Sequence, residues 1–131
     1  MKCIDTDLLV AILRGKDKAA KVKMDELDQD GRQATTTVNA FELFYSAHLS
    51  SDKTKNVDKT KATLNRLDIF PLDLTCSERA GEILSDLAKQ GKQIDFRDAL
   101  IAGISSVNNM TLATRNKNHF SYIKRLKIEE W

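Results

Sequence analysis

The stretch from Lys2 to Leu13, K-C-I-D-T-D-L-L-V-A-I-L, constrains this chain more than any other. A short apolar strand stops on Asp5 and Asp7 and passes at once into six apolar residues, Leu8 to Leu13, too apolar for a surface loop. A buried strand joined to a buried helix normally keeps charge out of the joint, because an uncompensated carboxylate is costly there. The carboxyl end of a strand is also where open α/β sheets hold their ligands. A plainer explanation competes: Thr6 or Asp7 caps the helix that follows. Asp5, lying before that cap position, is harder to explain in this way.

The rest of the chain alternates strand and helix signals. Gly15 stops the first helix, and Lys16 to Asp30 reads as an exposed amphipathic helix ended by Gly31. Ala34 to Val38 is a β-branched run and a second strand. Asn39 then reads as an N-cap with Glu42 completing a capping box and Val38 and Leu43 as its staple. A basic helix is expected over Lys53 to Leu67. A third strand follows at Ile69 to Leu72, where Pro71 implies a sheet edge or a strand start. Thr75 to Glu78 forms another capping box, opening a helix that Gly91 closes. Ile94 to Ile104 is a nearly all-apolar helix with acids only in its first turn, Met110 to Thr114 a fourth strand, and Leu126 to Trp131 a fifth. Strands separated by helices imply right-handed crossovers and a mainly parallel three-layer α/β/α sandwich. With no repeat or linker, residues 1–131 form one domain, a size that buries about two-thirds of the unfolded surface.

Carboxylates or amides stand beside strand ends or helix starts at Asp5 with Asp7, Glu42, Asp95 with Asp98, and Asn116. Caps account for several of them: Glu42 by its box, Asp95 as a cap with Asp98 complementing the helix dipole, Asn116 as a turn residue. Glu78 occupies the same cap-plus-three position as Glu42 and serves as an internal control. Glu42 and Asp98 differ from it because strongly apolar helix turns follow them. A divalent cation would compensate several such acids at once. Oxygen ligands without zinc-spaced His or Cys favour Mg²⁺ or Mn²⁺, and such a centre suits phosphodiester hydrolysis. His48 reads as an exposed helix residue and His119 as a loop residue near the site rim. Thr6 and Thr114 could orient carboxylates or water.

Charge points the same way. The net charge is only +2, but gathering Asp5, Asp7, Glu42, Asp95 and Asp98 in one pocket leaves 14 of the 19 acids against 21 Lys and Arg. The exterior balance is then +7, which suits a polyanion such as nucleic acid, although a solvated surface without a partner carries such charge too. Cys3 and Cys76 lie in or beside apolar segments and resemble neither a disulfide framework nor a metal pair, as expected of reduced thiols in a cytoplasmic protein. The apolar run Leu8 to Leu13 is too short for a signal-peptide core or a membrane span.

Taken together, I-D-T-D-L-L, V-N-A-F-E-L, D-A-L-I-A-G and T-R-N-K-N-H-F resemble, in that order and over essentially the full length, the PIN-domain ribonucleases of the VapC toxin type. The resemblance implies a PIN fold, Mg²⁺- or Mn²⁺-dependent cleavage of RNA, a homodimer, and inhibition by a small VapB-like antitoxin. Asp5, Glu42 and Asp98 match the family's acids, and Asn116 falls where the family has a fourth acid or an asparagine. Asp7 replaces a common Asn or Ser, and Asp95 is an additional acid one turn before Asp98; each is a supporting group or only a cap. Arg14, Lys16, Arg97 and Arg115, near the motifs in sequence, are the candidate phosphate contacts. Two rivals stand beside this expectation. Asp5-Thr6-Asp7 also fits the D-x-D opening of haloacid-dehalogenase-type phosphatases, with Asp5 as nucleophile. The same fold could also serve as a catalytically silent binding module.

Overall fold

Pleating puts Cys3 and Ile4 of β1 (Lys2–Ile4) on opposite faces, and each face is covered by its own set of helices. In the computed structural model, which describes residues 1–131, β1 leads into α1 (Thr6–Arg14) and α2 (Lys18–Gln29). Then come β2 (Ala34–Thr36), α3 (Thr37–Leu49), α4 (Lys53–Leu64) and β3 (Asp68–Phe70). The second half holds α5 (Leu74–Lys89), α6 (Phe96–Val107), β4 (Thr111–Thr114), α7 (Lys117–Phe120) and β5 (Lys127–Glu130). Ile4 packs with Leu8 and Leu9 of α1, Met24 and Leu27 of α2, and Leu43 of α3. Cys3 and Leu112 pack with Ile83 and Leu87 of α5 and Ile101 and Ile104 of α6. This is the expected three-layer sandwich.

The five strands are all parallel, in the order β3-β2-β1-β4-β5. From β1 the chain moves outward to β2 and β3, then returns to lay β4 on the other side of β1. The order reverses between β1 and β4, so the connections leaving their carboxyl ends pass to opposite faces of the sheet and leave a crevice, the usual ligand position in such sheets. Register brings Ile4 opposite Ala113, and the Asp5 N–H donates to the Ala113 carbonyl at 3.0 Å. Asp5 and Thr114 therefore meet at the mouth of the crevice. Pro71 falls just past β3, at a sheet edge, where its missing N–H costs no ladder bond.

Three helix starts differ from expectation. Helix α3 begins at Thr37, so Thr37 and Val38 leave the strand; Thr36 caps it by accepting from the N–H groups of Val38 and Asn39. The capping box is Thr36 with Asn39, one turn earlier than Asn39 with Glu42. Helix α5 starts at Leu74 under Asp73, whose carboxylate accepts from the Cys76 N–H at 2.9 Å, so the Thr75–Glu78 box is not formed. In α1 the cap is Asp5 itself, accepting from the Thr6 N–H at 2.8 Å. Helix α4 ends at Leu64, short of Leu67, and α7 is an additional short helix where only a polar loop was expected. Gly15 does end α1, with φ at 69°, a left-handed conformation that glycine adopts without strain. No helix is long and apolar enough to cross a membrane.

Candidate active site

Five elements converge at the crevice. The end of β1 supplies Asp5, the start of α1 supplies Thr6 and Asp7, and the first two turns of α3 supply Asn39 and Glu42. The first turn of α6 brings Asp98, and the end of β4 brings Thr114.

Asp5 is buried and locked. Its Oδ1 accepts from the Thr6 N–H and from Asn39 Nδ2 at 3.1 Å, and its Oδ2 accepts from Thr114 Oγ1 at 2.7 Å. An ionised carboxylate offers about four acceptor positions, so one on Oδ2 stays free for a ligand. Asn39, itself fully buried, also donates to Thr6 Oγ1 at 2.9 Å; that hydroxyl donates onward to Glu42 Oε1 at 3.0 Å. One hydrogen-bonded chain thus runs from Thr114 through Asp5, Asn39 and Thr6 to Glu42. Asp7 Oδ2 accepts from the Arg115 backbone N–H at 2.8 Å, and the Thr114 hydroxyl lies 3.3 Å from it.

The acids raise one another's proton affinity. Asp5 is pushed up to about 6, chiefly by burial and then by the charge of Asp7, with Asp98 adding a smaller push. The hydrogen bonds from Thr114 and Thr6 hold it down only in part. Burial also raises Glu42, against the pull of the Thr6 hydroxyl and Arg97, and raises Asp98, against the pull of His119. Asp95 moves the other way, to about 2, because the Arg97 guanidinium grips it in a fork, Nε to Oδ1 at 3.0 Å and Nη2 to Oδ2 at 2.9 Å. As expected, Asp95 caps α6, accepting from the Arg97 N–H at 2.8 Å. Excess negative charge at a partly dry site is what a bound cation relieves.

The remaining candidates divide. The Asn116 side chain is exposed and makes no hydrogen bond, while its backbone N–H donates to Thr114 Oγ1 at 3.0 Å. Its contribution to the cluster comes from its main chain. Arg97 reaches Glu42 Oε2 at 3.8 Å and so borders the acids. Arg115 turns its guanidinium away, onto Asp17 at 2.6 Å and over the Trp131 ring. Arg14 and Lys16 lie at the far end of α1, a nine-residue helix and hence roughly 13 Å long. Neither is brought to the crevice. His119 stands at the rim as expected, in α7, with Nδ1 3.3 Å from Asp98 Oδ2, and His48 is exposed on α3.

Asn39 is the residue that sequence reasoning missed. Read as an N-cap, it is instead the buried link between Asp5 and Glu42. The signal was present in Thr36-x-x-Asn39, which competes with Asn39-x-x-Glu42 for the same helix start.

An oxygen-only set of Asp5, Glu42 and Asp98 matches the hard cations Mg²⁺ and Mn²⁺. No group of three His, Cys, Asp or Glu side chains is drawn close enough to cage an ion alone.

Comparison with known proteins bears on the family and the fold. The family model described as PIN domain matches residues 2–126. The tRNA(fMet)-specific endonuclease VapC of Shigella flexneri is 25% identical over 128 residues, covering 98% of this chain and 96% of that protein. Ribonuclease VapC2 of Rickettsia felis is 28% identical over 128 residues, with the same coverage. Among solved structures, VapBC2 of Rickettsia felis bound to promoter DNA superposes with a TM-score of 0.90 at 27% identity, covering 99% of this chain and 98% of that one. DNA-bound VapBC of Salmonella typhimurium shares the fold, with a TM-score of 0.88 at 23% identity, covering 100% of this chain and 99% of that one.

Proposed function

The chain belongs to the PIN-domain family, and from that premise we propose that it is a VapC-type endoribonuclease, the toxin of a toxin–antitoxin pair, dependent on Mg²⁺ or Mn²⁺. The observation that carries this reading is Asp5: a buried carboxylate at the sheet's switch point, locked by three donors and surrounded by further acids. Asp5, Glu42 and Asp98 would hold the ion. When bound, such an ion polarises a phosphodiester and lowers the pKa of a coordinated water.

The chain's own residues prepare that centre. Thr114 and Asn39 fix the Asp5 carboxylate and leave one acceptor position on Oδ2 unfilled. Thr6 holds Glu42 Oε1 and leaves Oε2 toward solvent and Arg97. The Arg97 guanidinium, half-exposed and beside Glu42, is placed to meet a substrate phosphate as RNA arrives. Asn116 acts through the N–H that orients the Thr114 hydroxyl.

Relatives of this chain occur in VapBC complexes, which supports a VapB-like antitoxin as its partner. An arginine of such a partner would find in these carboxylates a bidentate acceptor. Phe41, Tyr45 and Leu49 make an exposed apolar stripe along α3, and Leu74 and Phe96 are exposed as well. They are the surface that an antitoxin or a second copy in a homodimer would cover.

The phosphatase alternative fits poorly, because its general acid would be Asp7, whose two oxygens are both taken by backbone N–H groups, of Leu8 at 2.7 Å and of Arg115 at 2.8 Å. The deciding experiment compares cleavage of mixed structured RNAs by wild type, Asp5→Ala and Asp98→Ala, with Mg²⁺ or Mn²⁺ supplied. Metal-dependent cleavage should fall by at least about a hundredfold in both folded variants. Equal behaviour of all three proteins would leave a binding module.

A further inference from the structure

Beside Asp98 the surface opens into a cleft of about 310 Å³ that the hydrolytic chemistry does not need. Leu87 and Ile94 give it an apolar floor, and Gln93 and Asn118 line it with amides that both donate and accept. The Tyr122 ring stands at its edge, 56% exposed, with Lys92 Nζ 3.5 Å from the ring centroid. His119 joins the cleft to the acids, its Nδ1 3.3 Å from Asp98 Oδ2. One concavity therefore holds an aromatic face, two amides, a cation and the carboxylate of a proposed metal ligand.

We propose that this cleft is a nucleobase subsite, taking a base next to the scissile phosphate of single-stranded RNA and stacking it on Tyr122. The assignment rests on the endoribonuclease reading above and adds where selectivity resides. A base offers flat apolar faces and a hydrogen-bonding edge, which the Tyr122 face, the apolar floor and the two amides complement. Lys92 covers the Tyr122 face in the free protein. An arriving base displaces the ammonium, which then meets the adjoining phosphate. A free anion is a poor occupant, because Asp95 and Asp98 both line the cleft. A paired base cannot enter without unstacking, so the substrate segment is a loop or a single strand.

The test uses the full-length protein and two readouts. In the first, short single-stranded RNAs with an abasic site at either nucleotide flanking the cleaved bond are cut by wild type, Tyr122→Ala and Tyr122→Phe. Stacking predicts a KM raised roughly ten- to hundredfold in Tyr122→Ala with kcat little changed, and near-complete retention in Tyr122→Phe. The abasic substitution should cost wild type at least as much and cost Tyr122→Ala clearly less than it costs wild type, since both changes remove the stack while only the abasic site also removes the floor and amide contacts. In the second readout, metal-free Asp5→Asn binds RNA carrying the fluorescent base 2-aminopurine at that nucleotide. Quenching should appear with Tyr122 present and vanish in the Asp5→Asn/Tyr122→Ala pair. An unchanged KM, additive losses or quenching independent of Tyr122 would overturn the subsite. Quenching that a competing arginine-rich peptide abolishes while RNA competitors do not would assign the cleft to a protein partner and overturn it as well. Failure of wild type to cut any RNA would sink the endoribonuclease reading instead, while the fluorescence readout still decides the base.

Discussion

Asp5 accepts three hydrogen bonds and still titrates near 6, because burial and the charge of Asp7 outweigh them. In the unfolded chain the same group titrates near 3.8. Between those values the folded protein binds more protons than the unfolded one, so stability falls as pH rises from about 4 to about 6. Above 6 the whole penalty is present, roughly 3 kcal/mol for a shift of about two units. Asp5→Asn should therefore stabilise the metal-free protein at pH 7.5 by about 1–3 kcal/mol while abolishing cleavage, and the gain should disappear near pH 4. The amide fits: its oxygen keeps the Thr6 and Asn39 bonds, and its NH₂ donates to Thr114, whose hydroxyl turns to Asp7. Urea unfolding at the two pH values measures it, and a loss of stability at pH 7.5 would refute it. Asn39→Ala should act oppositely. It strips donors from Asp5 and Thr6, costing about 1–3 kcal/mol and most of the activity. An Asn39→Ala protein with wild-type melting and turnover would remove the link assigned to this residue. At this scale the acids were legible because charge beside apolar runs is rare. Asn39 was not, since two overlapping box patterns differ by one turn and only burial chooses between them.

Between elements, the contact of α5 with α6 sets where Asp98 stands. The helices meet so closely at Gly103 that an added Cβ would lie 2.8 Å from the Cys76 carbonyl oxygen and 2.9 Å from Ala80. Backbone cannot step aside as a flexible side chain can. Gly103→Ala should lower the urea midpoint by the equivalent of about 1–3 kcal/mol with an unchanged slope, despite alanine's better helix propensity. A raised midpoint would mean that the helices pack more loosely than described. The existence of α5 and α6 was readable from apolar periodicity, and the end of α1 from Gly15. The start of α5 was less so: Asp73 and Thr75 are both competent caps, and the choice depends on which turn the core buries. Helix α7 has four residues, too few for any period to show.

For the whole molecule, alternating strands and helices announced a parallel sandwich but not the strand order, because crossovers of similar length can carry the chain to either side of β1. The order β3-β2-β1-β4-β5 is what turns scattered acids into one site, by opening the crevice between β1 and β4. It also yields a molecule with a negative centre and an exterior on which Lys and Arg outnumber acids. On the endoribonuclease reading, these two regions act on RNA with opposite signs. Without divalent ions, the phosphate nearest the crevice is repelled by Asp5, Glu42 and Asp98 while the exterior attracts its neighbours. Asp5→Asn/Asp98→Asn should therefore bind single-stranded RNA roughly three- to tenfold more tightly than wild type in chelator. Both proteins should lose affinity along the same line as salt rises, about 0.7 in log K per phosphate contact and decade of salt, because the basic contacts are shared. Filter binding over a range of KCl concentrations measures both quantities. Parallel lines offset in favour of the variant would place RNA across the acidic crevice; coincident lines would put it elsewhere on the surface, and a flat response to salt would deny the exterior any part in binding.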